Sequence, residues 1–337
     1  MNSHDRGPRL PPPRGPLSAA VAARLRGAGP LPRPAEAEEA DTYGDDPQLA
    51  LYLCYELHYR GFAGVGPEAE WDPDLLRVRA ALERRFLSAL RADAPGHDSL
   101  DDALAALLVE PVEGSGVSHF LCAEGELWQL REYAAQRSLY HLKEADPHAW
   151  VLPRLWGRAK AGMAAVEFDE FGGGRAGRVH ARLFAALMQD LGLDSAYGRY
   201  LDAARAEMLA VVNLMSLFGL HRGLRGALVG HFADVEITSS PASRRLAEAM
   251  RRTGAGPAAE FFYDEHVEAD AVHEQVVRHQ VIGGLLAEEP ELAADVTFGI
   301  DATEYLEDRL GRRLLADWRA GRSSLRTPLM PQVSHTS

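Results

Sequence analysis

Cysteine is scarce in this 337-residue chain, which contains only Cys54 and Cys122. Two cysteines cannot build a disulfide framework or a cysteine-rich zinc site. Long apolar runs are missing too, because no stretch reaches the roughly 18 apolar residues that a membrane-spanning helix needs. A signal peptide is not expected either, since Pro11, Pro12 and Pro13 stand where its apolar segment would lie. We therefore expect a cytoplasmic protein with no membrane partner.

Positive charge is in deficit, with 36 lysines and arginines against 49 acidic residues and a formal net charge of −13. A chain this acidic lacks the electrostatic footprint of a general nucleic-acid binder, so we expect no nucleic-acid partner. The chain is 46% hydrophobic and 25% charged, which is typical of soluble globular proteins. Its length allows one large domain or two ordinary ones with a sizeable core.

Strand-like alternation of apolar and polar residues is absent, whereas helical spacing of apolar residues recurs along most of the chain. The pattern predicts an all-α helical bundle. Four segments are expected: a disordered proline-rich and acidic leader, a helical extension, the main helical domain and a disordered tail, at residues 1–45, 46–117, 118–320 and 321–337. Turn-forming residues predict these helices within the main domain: 118–145, 147–171, 176–193, 195–220, 222–238, 241–253, 256–287 and 289–320.

The segment "EFFYDEHVEADAVHEQVVRH" carries the clearest chemical pattern. At about 100° per helical residue, His266, Asp270 and His273 lie at roughly 0°, 40° and −20°, so they share one helix face. Two imidazoles and one carboxylate on one stripe form a set of metal ligands that suits iron. Taken alone, the stripe could equally be a solvated polar face, since other acidic residues lie on the same helix.

Further candidate ligands occur on other predicted helices. Glu236 ends an apolar helical stretch, where a buried carboxylate needs a partner. Glu170 and His180 lie around a glycine-rich segment earlier in the chain. Together with the stripe at 266–273 they make six ligands, the number that two irons in a bundle core need if positions are left open for O₂.

On these six residues the chain resembles the heme-oxygenase-like diiron oxidases and oxygenases, which are also described as iron-containing redox enzymes. The resemblance covers roughly residues 118–320. It implies a heme-oxygenase-like bundle with Glu170 and His180 from the first core helix, Glu236 from the second, and the triplet at 266–273 from the third. The steps of 66 residues from Glu170 to Glu236 and 30 residues from Glu236 to His266 fit the family.

A seventh ligand follows from the resemblance alone. Members of the family that oxygenate nitrogen carry a further carboxylate on a preceding helix, and Glu144 stands at that place. The resemblance thus implies that Glu144, Glu170 and Glu236 serve catalysis as well as metal binding. Glu132, His141 and Glu167 lie nearby and could exchange roles with Glu144.

The segment between Glu170 and His180 cannot be a regular helix if both residues bind the same centre. Ten helical residues rise about 15 Å and would leave the two side chains about 80° apart. Three glycines, Gly172 to Gly174, favour unwinding of the helix here. The same stretch, GGGRAG, formally matches a dinucleotide-binding fingerprint, but no strand precedes it and the acidic residues before it would repel a pyrophosphate.

The function implied is oxidation of a small organic substrate by O₂ at two ferrous ions, with N-oxygenation of an amine or amino-acid nitrogen in a biosynthetic pathway as the leading reaction. Desaturation or oxidative C–C cleavage of a fatty acid or amino acid is the alternative at the same site. The chain could instead be a heme-binding member of the fold or a non-catalytic helical scaffold. Nothing in the sequence binds flavin or nicotinamide, so an external reductant or reductase must supply electrons. A homodimer stays open.

Overall fold

The computed structural model describes residues 7–110 and 114–329. Helices make up 71% of the protein, and no β-strand occurs within these two ranges, so the all-α prediction is confirmed. The α-helices are, in chain order, α1 Pro16–Leu25, α2 Pro34–Glu38, α3 Asp45–Glu56, α4 Pro73–Asp93, α5 Leu100–Leu107, α6 Val117–Ala123, α7 Leu127–His141, α8 Asp146–Ala149, α9 Gly157–Glu170, α10 His180–Asp190, α11 Ala206–Leu220, α12 Arg225–Thr253, α13 Pro257–Val276, α14 Gly283–Glu288 and α15 Ala293–Arg319. A π-helical segment, Val277–Ile282, joins α13 to α14.

The bundle core is built on three long helices, α12, α13 and α15. Helix α12 packs against both α13 and α15, α10 packs on α13, and α11 lies against α15 and α3. Helix α11 is buried along nearly its whole length because apolar residues cover its entire circumference. Among the described helices, none is long and apolar enough to cross a membrane.

Local sequence signals set several helix ends. Asp72 caps α4, with its side chain accepting hydrogen bonds from the backbone N–H groups of Asp74 and Leu75, and Pro73 occupies the first helical position. Gly254 caps the C-terminal end of α12, and its φ of 66° lies in the left-handed region that glycine adopts without strain.

Part of the predicted disordered leader is folded. In α1, Leu17, Val21 and Leu25 are 5%, 0% and 5% exposed and form one apolar face that packs against α3. The carboxylate of Asp46 accepts hydrogen bonds from two backbone N–H groups at the start of α1. The prediction of disorder was wrong for α1. Apolar residues at every fourth position form a face that can be buried, and this burial stabilises the helix in spite of the prolines around it.

The predicted disordered tail is also partly fixed. The backbone N–H and the hydroxyl of Ser324 both donate to Glu132 Oε2 at 2.8 Å, and Leu325 is buried. Residues 330–337 of that tail, 1–6 of the leader and 111–113 of the extension lie outside the described residues.

The predicted helix break at 239–241 does not exist, because α12 continues through Pro241. An internal proline costs a helix about 3 kcal/mol. Contacts of α12 with α13 and α15 offset this cost, and the Ser240 hydroxyl adds a hydrogen bond to the Val267 carbonyl. Conversely, the predicted helix 118–145 is two helices, α6 and α7, followed by a turn.

Candidate metal centre

Two adjoining clusters of buried carboxylates and imidazoles lie in the bundle core. In each cluster one potential ligand atom per residue lies within 4.8 Å of the others. The first contains Glu144, Glu170, His180 and His266, and the second contains Glu170, Glu236, Asp270 and His273. All seven residues predicted from the sequence are therefore brought together, and each is at most 7% exposed.

Glu170 belongs to both clusters, with one oxygen turned to each. Its Oε2 lies 2.7 Å from Nδ1 of His180, and its Oε1 lies 3.8 Å from Nδ1 of His273. The short contact with His180 lacks hydrogen-bond geometry, since His180 Nδ1 has no hydrogen-bond partner. Close approach without hydrogen-bond alignment is the arrangement expected of two ligands directed at one ion. Glu170 is thus the residue that the two clusters share.

The connection from α9 to α10 places two of these ligands. Glu170 is the last residue of α9 and His180 is the first residue of α10. Between them Gly172, Gly173 and Gly174 adopt φ values of 78°, 59° and 78°. Left-handed backbone at three successive residues ends the helix and reverses the chain, which is the departure from helical geometry expected from the sequence. The turn brings together side chains that a continuous helix would separate.

Substituting the first of these glycines should disturb the centre. We expect Gly172→Ala to lower the free energy of unfolding by about 2 kcal/mol and to weaken iron binding, because an alanine at positive φ is strained. Its Cβ would also meet the backbone at Arg175 O, 2.6 Å away, and at Val179 N, 2.7 Å away. Urea unfolding and elemental analysis of the iron retained measure the two effects.

Gly177→Ala is the matched control for this change. No atom lies within 4 Å of the Cβ that it would add, and its backbone is not in the left-handed region. We expect its unfolding free energy to lie within about 0.5 kcal/mol of the wild type. Equal stability and equal iron content in the two variants would contradict the role given to the turn at Gly172.

Helix α13 presents three candidate ligands, His266, Asp270 and His273, from one face, as the spacing in the sequence predicts. The ring of His266 is fixed by its Nδ1–H, which donates to the Phe262 carbonyl at 2.7 Å and leaves Nε2 facing the first cluster. His266 Nε2 has no hydrogen-bond partner although it is buried. Asp270 is held by the Ser239 hydroxyl, which donates to its Oδ2 at 2.6 Å. Such outer contacts commonly orient metal ligands.

Asp169 is a supporting residue that the sequence analysis did not assign to the centre. Its Oδ2 lies 3.3 Å from His273 Nε2, and its side chain is 58% exposed. On its other nitrogen, His273 has Glu236 Oε2 at 3.0 Å. A hydrogen bond from His273 Nε2–H to Asp169 would leave Nδ1 unprotonated, with its lone pair available to the second cluster. Nothing in the sequence marks Asp169 apart from its place beside Glu170.

Glu144 lies in the turn after α7, not within a helix as predicted. Its Oε1 is 2.6 Å from Nδ1 of His141 and 3.8 Å from Nε2 of His266. Of the residues that could have exchanged roles with it, Glu132 instead accepts hydrogen bonds from Trp318 in α15 and from Ser324 after that helix. Glu167 is buried with neither oxygen hydrogen-bonded, but it belongs to neither cluster.

Burial and neighbouring charges shift the pKa values of the clustered groups. Burial, together with the charges of Asp270 and Glu170, raises the pKa of Glu236 to about 8. Burial alone would lower the pKa of His266, but the adjacent Glu144 carboxylate raises it to about 10. Burial opposes ionisation of Glu144, yet the imidazoles of His141 and His266 lower its pKa. Protons and metal ions must therefore compete for these groups.

The donor set fits iron. When all four are ionised, as metal binding requires, the buried carboxylates would carry four negative charges, and their ion-pair partners among the described residues are histidines. Burying such a set without a compensating cation is costly. Two divalent ions would balance the four charges, and a mixed set of carboxylate oxygens and imidazole nitrogens suits ferrous iron. The unpaired Nε2 of His266 and Oε2 of Glu144 are available as ligand atoms.

Rings surround the first cluster. The centroid of the His266 ring lies 4.4 Å from those of both His180 and Phe262, and Phe184 packs against Phe262 at 5.1 Å. A cavity of about 430 Å³ opens beside both clusters, lined by side chains from α7, α12, α13 and α15. A larger cavity of about 640 Å³, lined by residues of α1 and the segment around α2, contacts neither cluster. Of these two cavities, the smaller one adjoins the clusters.

The fold and the clusters together define a class: an all-α protein whose core is suited to hold metal. The sequence profile described as iron-containing redox enzyme matches residues 131–308, more than half of the chain. The chain belongs to this family, as the resemblance in the sequence indicated, and is an oxidoreductase-type iron enzyme with a heme-oxygenase-like fold. A search of curated proteins gives no match.

Proposed function

We propose that this enzyme binds two ferrous ions and uses O₂ to oxidise a small organic substrate, with N-oxygenation of an amine as the reaction. The observation that carries the proposal is the position of Glu170, whose two oxygens face different clusters. A carboxylate shared in this way is typical of a two-metal site in a helical bundle. Iron and O₂ would supply the oxidising power, and an external reductant or reductase would supply electrons.

The chain's own residues hold and shield the centre. Glu144, Glu170, Glu236 and Asp270 would balance the charge of the metal, and His180, His266 and His273 would complete the donor sets. Phe262 and Ser239 orient His266 and Asp270 through the hydrogen bonds described above. The packed rings around His180 and His266 would limit access of water to the centre from one side. Substrate can approach from the cavity on the other side.

Glu144 favours nitrogen oxygenation over the other reactions of the family. It corresponds in the sequence to the additional carboxylate of the nitrogen-oxygenating members, and it lies in the first cluster, beside His180 and His266. Glu144 would add a further negative charge beside a metal held there. Heme binding is less well supported, because each of the three clustered histidines lies close to a carboxylate instead of standing free.

Metal content and O₂ uptake test this function. After loading with ferrous iron under argon and removal of excess metal, we expect about two irons per chain. Mixing with O₂ and a reductant should then give O₂ uptake that zinc-loaded protein does not show, because zinc has no redox chemistry. One heme per chain, or no bound iron, would contradict the proposal.

A further inference from the structure

The cavity beside the clusters has two different sides, and α12 runs between them. Glu236 and Asp234 both line the cavity. They are two positions apart on α12, and at about 100° per residue their side chains leave nearly opposite faces of the helix. Glu236 therefore faces Asp270 and the metal centre, whereas Asp234 faces α15. On that side Asp234 lies within electrostatic reach of Glu304 and Glu307, which also line the cavity.

Within residues 7–110 and 114–329, no cationic side chain pairs with Asp234. It is 6% exposed, and its Oδ2 is buried without a hydrogen-bond partner. Arg137, the arginine among the described residues that line the cavity, is already engaged, with its two terminal nitrogens donating to the two oxygens of Glu307 at 2.7 and 2.6 Å. A second unpartnered polar group, the hydroxyl of Tyr263, lines the same cavity and is also buried.

A buried carboxylate that faces a cavity, beside other carboxylates and with no free cation, is suited to a positively charged ligand. A substrate carboxylate would find no free cation among the described residues that line this side, so a fatty-acid anion is disfavoured there. The unpaired oxygen of Asp234 can accept a hydrogen bond from an ammonium group.

We propose that Asp234 binds a protonated primary amine of the substrate, at the end of the molecule away from the atom that is oxidised. The substrate is then a small basic amine with a second functional group that reaches the metal centre. This assignment rests on the proposed function for the identity of the ligand as substrate. The binding site itself is defined by α12 and α15 and can be tested without any turnover.

Two probes of equal length separate the charge from the rest of the molecule: 5-amino-1-pentanol, which carries one ammonium group, and 1,5-pentanediol, which carries none. Titration calorimetry under argon measures the affinity of each probe for the iron-loaded protein and for the zinc-loaded protein. We expect the amino alcohol to bind about 10- to 100-fold more tightly than the diol, the range for a hydrogen bond between charged groups. In Asp234→Asn the ratio of the two affinities, amino alcohol to diol, should fall to about threefold or less.

Asp308→Asn is the matched control. Asp308 also lines the cavity, but its side chain is 75% exposed and pairs with Arg312, so the ratio should stay near the wild-type value. The Asp234→Asn protein should be at least as stable as the wild type, because the change removes a buried unpaired carboxylate. If Asp234→Asn does not fold, Asp234→Ser takes its place with the same expected ratio.

An unchanged ratio in the Asp234 variant, or no preference for the amine in the wild type, would overturn the assignment. These outcomes are distinct from failure of the proposed function. A protein that holds no iron pair or consumes no O₂, but binds the amine through Asp234, refutes only the diiron chemistry. A protein with iron and O₂ uptake, but no dependence on Asp234, refutes only the amine site.

Discussion

Glu170→Ala is expected to empty both metal positions, the largest effect on iron content of any single substitution in the centre. Glu170 contributes one oxygen to each cluster, so its removal leaves each with three ligand atoms. It also leaves three carboxylates to balance the charge of two divalent ions. We expect iron to fall from about two per chain to well below one after gel filtration, measured by elemental analysis.

Two variants make this result specific. Glu236→Gln alters a ligand of the second cluster alone, so it should lose about one iron and keep the other. Glu268→Ala removes an exposed carboxylate from α13 and should keep the full complement. Circular dichroism should show the same helix content in all three proteins. Two irons retained in Glu170→Ala would show that this carboxylate does not bridge the clusters.

Lys143→Met should produce the largest loss of stability. Lys143 is 1% exposed, and its Nζ lies 3.0 Å from Oε2 of Glu56, which is fully buried in α3. The ammonium also lies over the ring of Tyr59, 4.2 Å from its centroid. Removing one partner of a buried ion pair leaves the other charge unpaired and costs about 3–5 kcal/mol. Urea unfolding measures this loss directly.

The only other lysine in the chain, Lys160, gives the control. It is exposed on α9, and Lys160→Met should change the unfolding free energy by no more than about 0.5 kcal/mol. Combining Lys143→Met with Glu56→Gln should recover part of the loss, because no buried charge is then left without its partner. A Lys143 variant as stable as the Lys160 variant would mean that the pair adds nothing to folding.

The shared face of His266, Asp270 and His273 on α13 was predictable because helical periodicity alone brings these three side chains together. The turn at 172–174 was predictable for a similar reason, since a straight helix cannot bring Glu170 and His180 to one point. Both inferences depend on local geometry, which the order of residues determines directly.

Features that depend on distant contacts were not predictable in the same way. Proline content suggested disorder before α3, but Leu17 and Val21 find an apolar partner surface that local composition does not reveal. Pro241 suggested a helix end, but packing on two sides of α12 retains the helix. Asp169 and Asp234 carry no recognisable motif, because their roles arise from which helices lie opposite them.

The pairing of Lys143 with Glu56 has a consequence for how this chain can evolve. The segment that the family profile matches, residues 131–308, contains a buried ammonium whose counter-ion lies 87 positions earlier in the chain, outside that segment. A gene fragment encoding the family segment alone would therefore inherit an uncompensated charge immediately before Glu144. Deleting the amino-terminal helices would remove the counter-ion of Lys143 together with α3, so in this chain they are tied to the family segment by a buried charge.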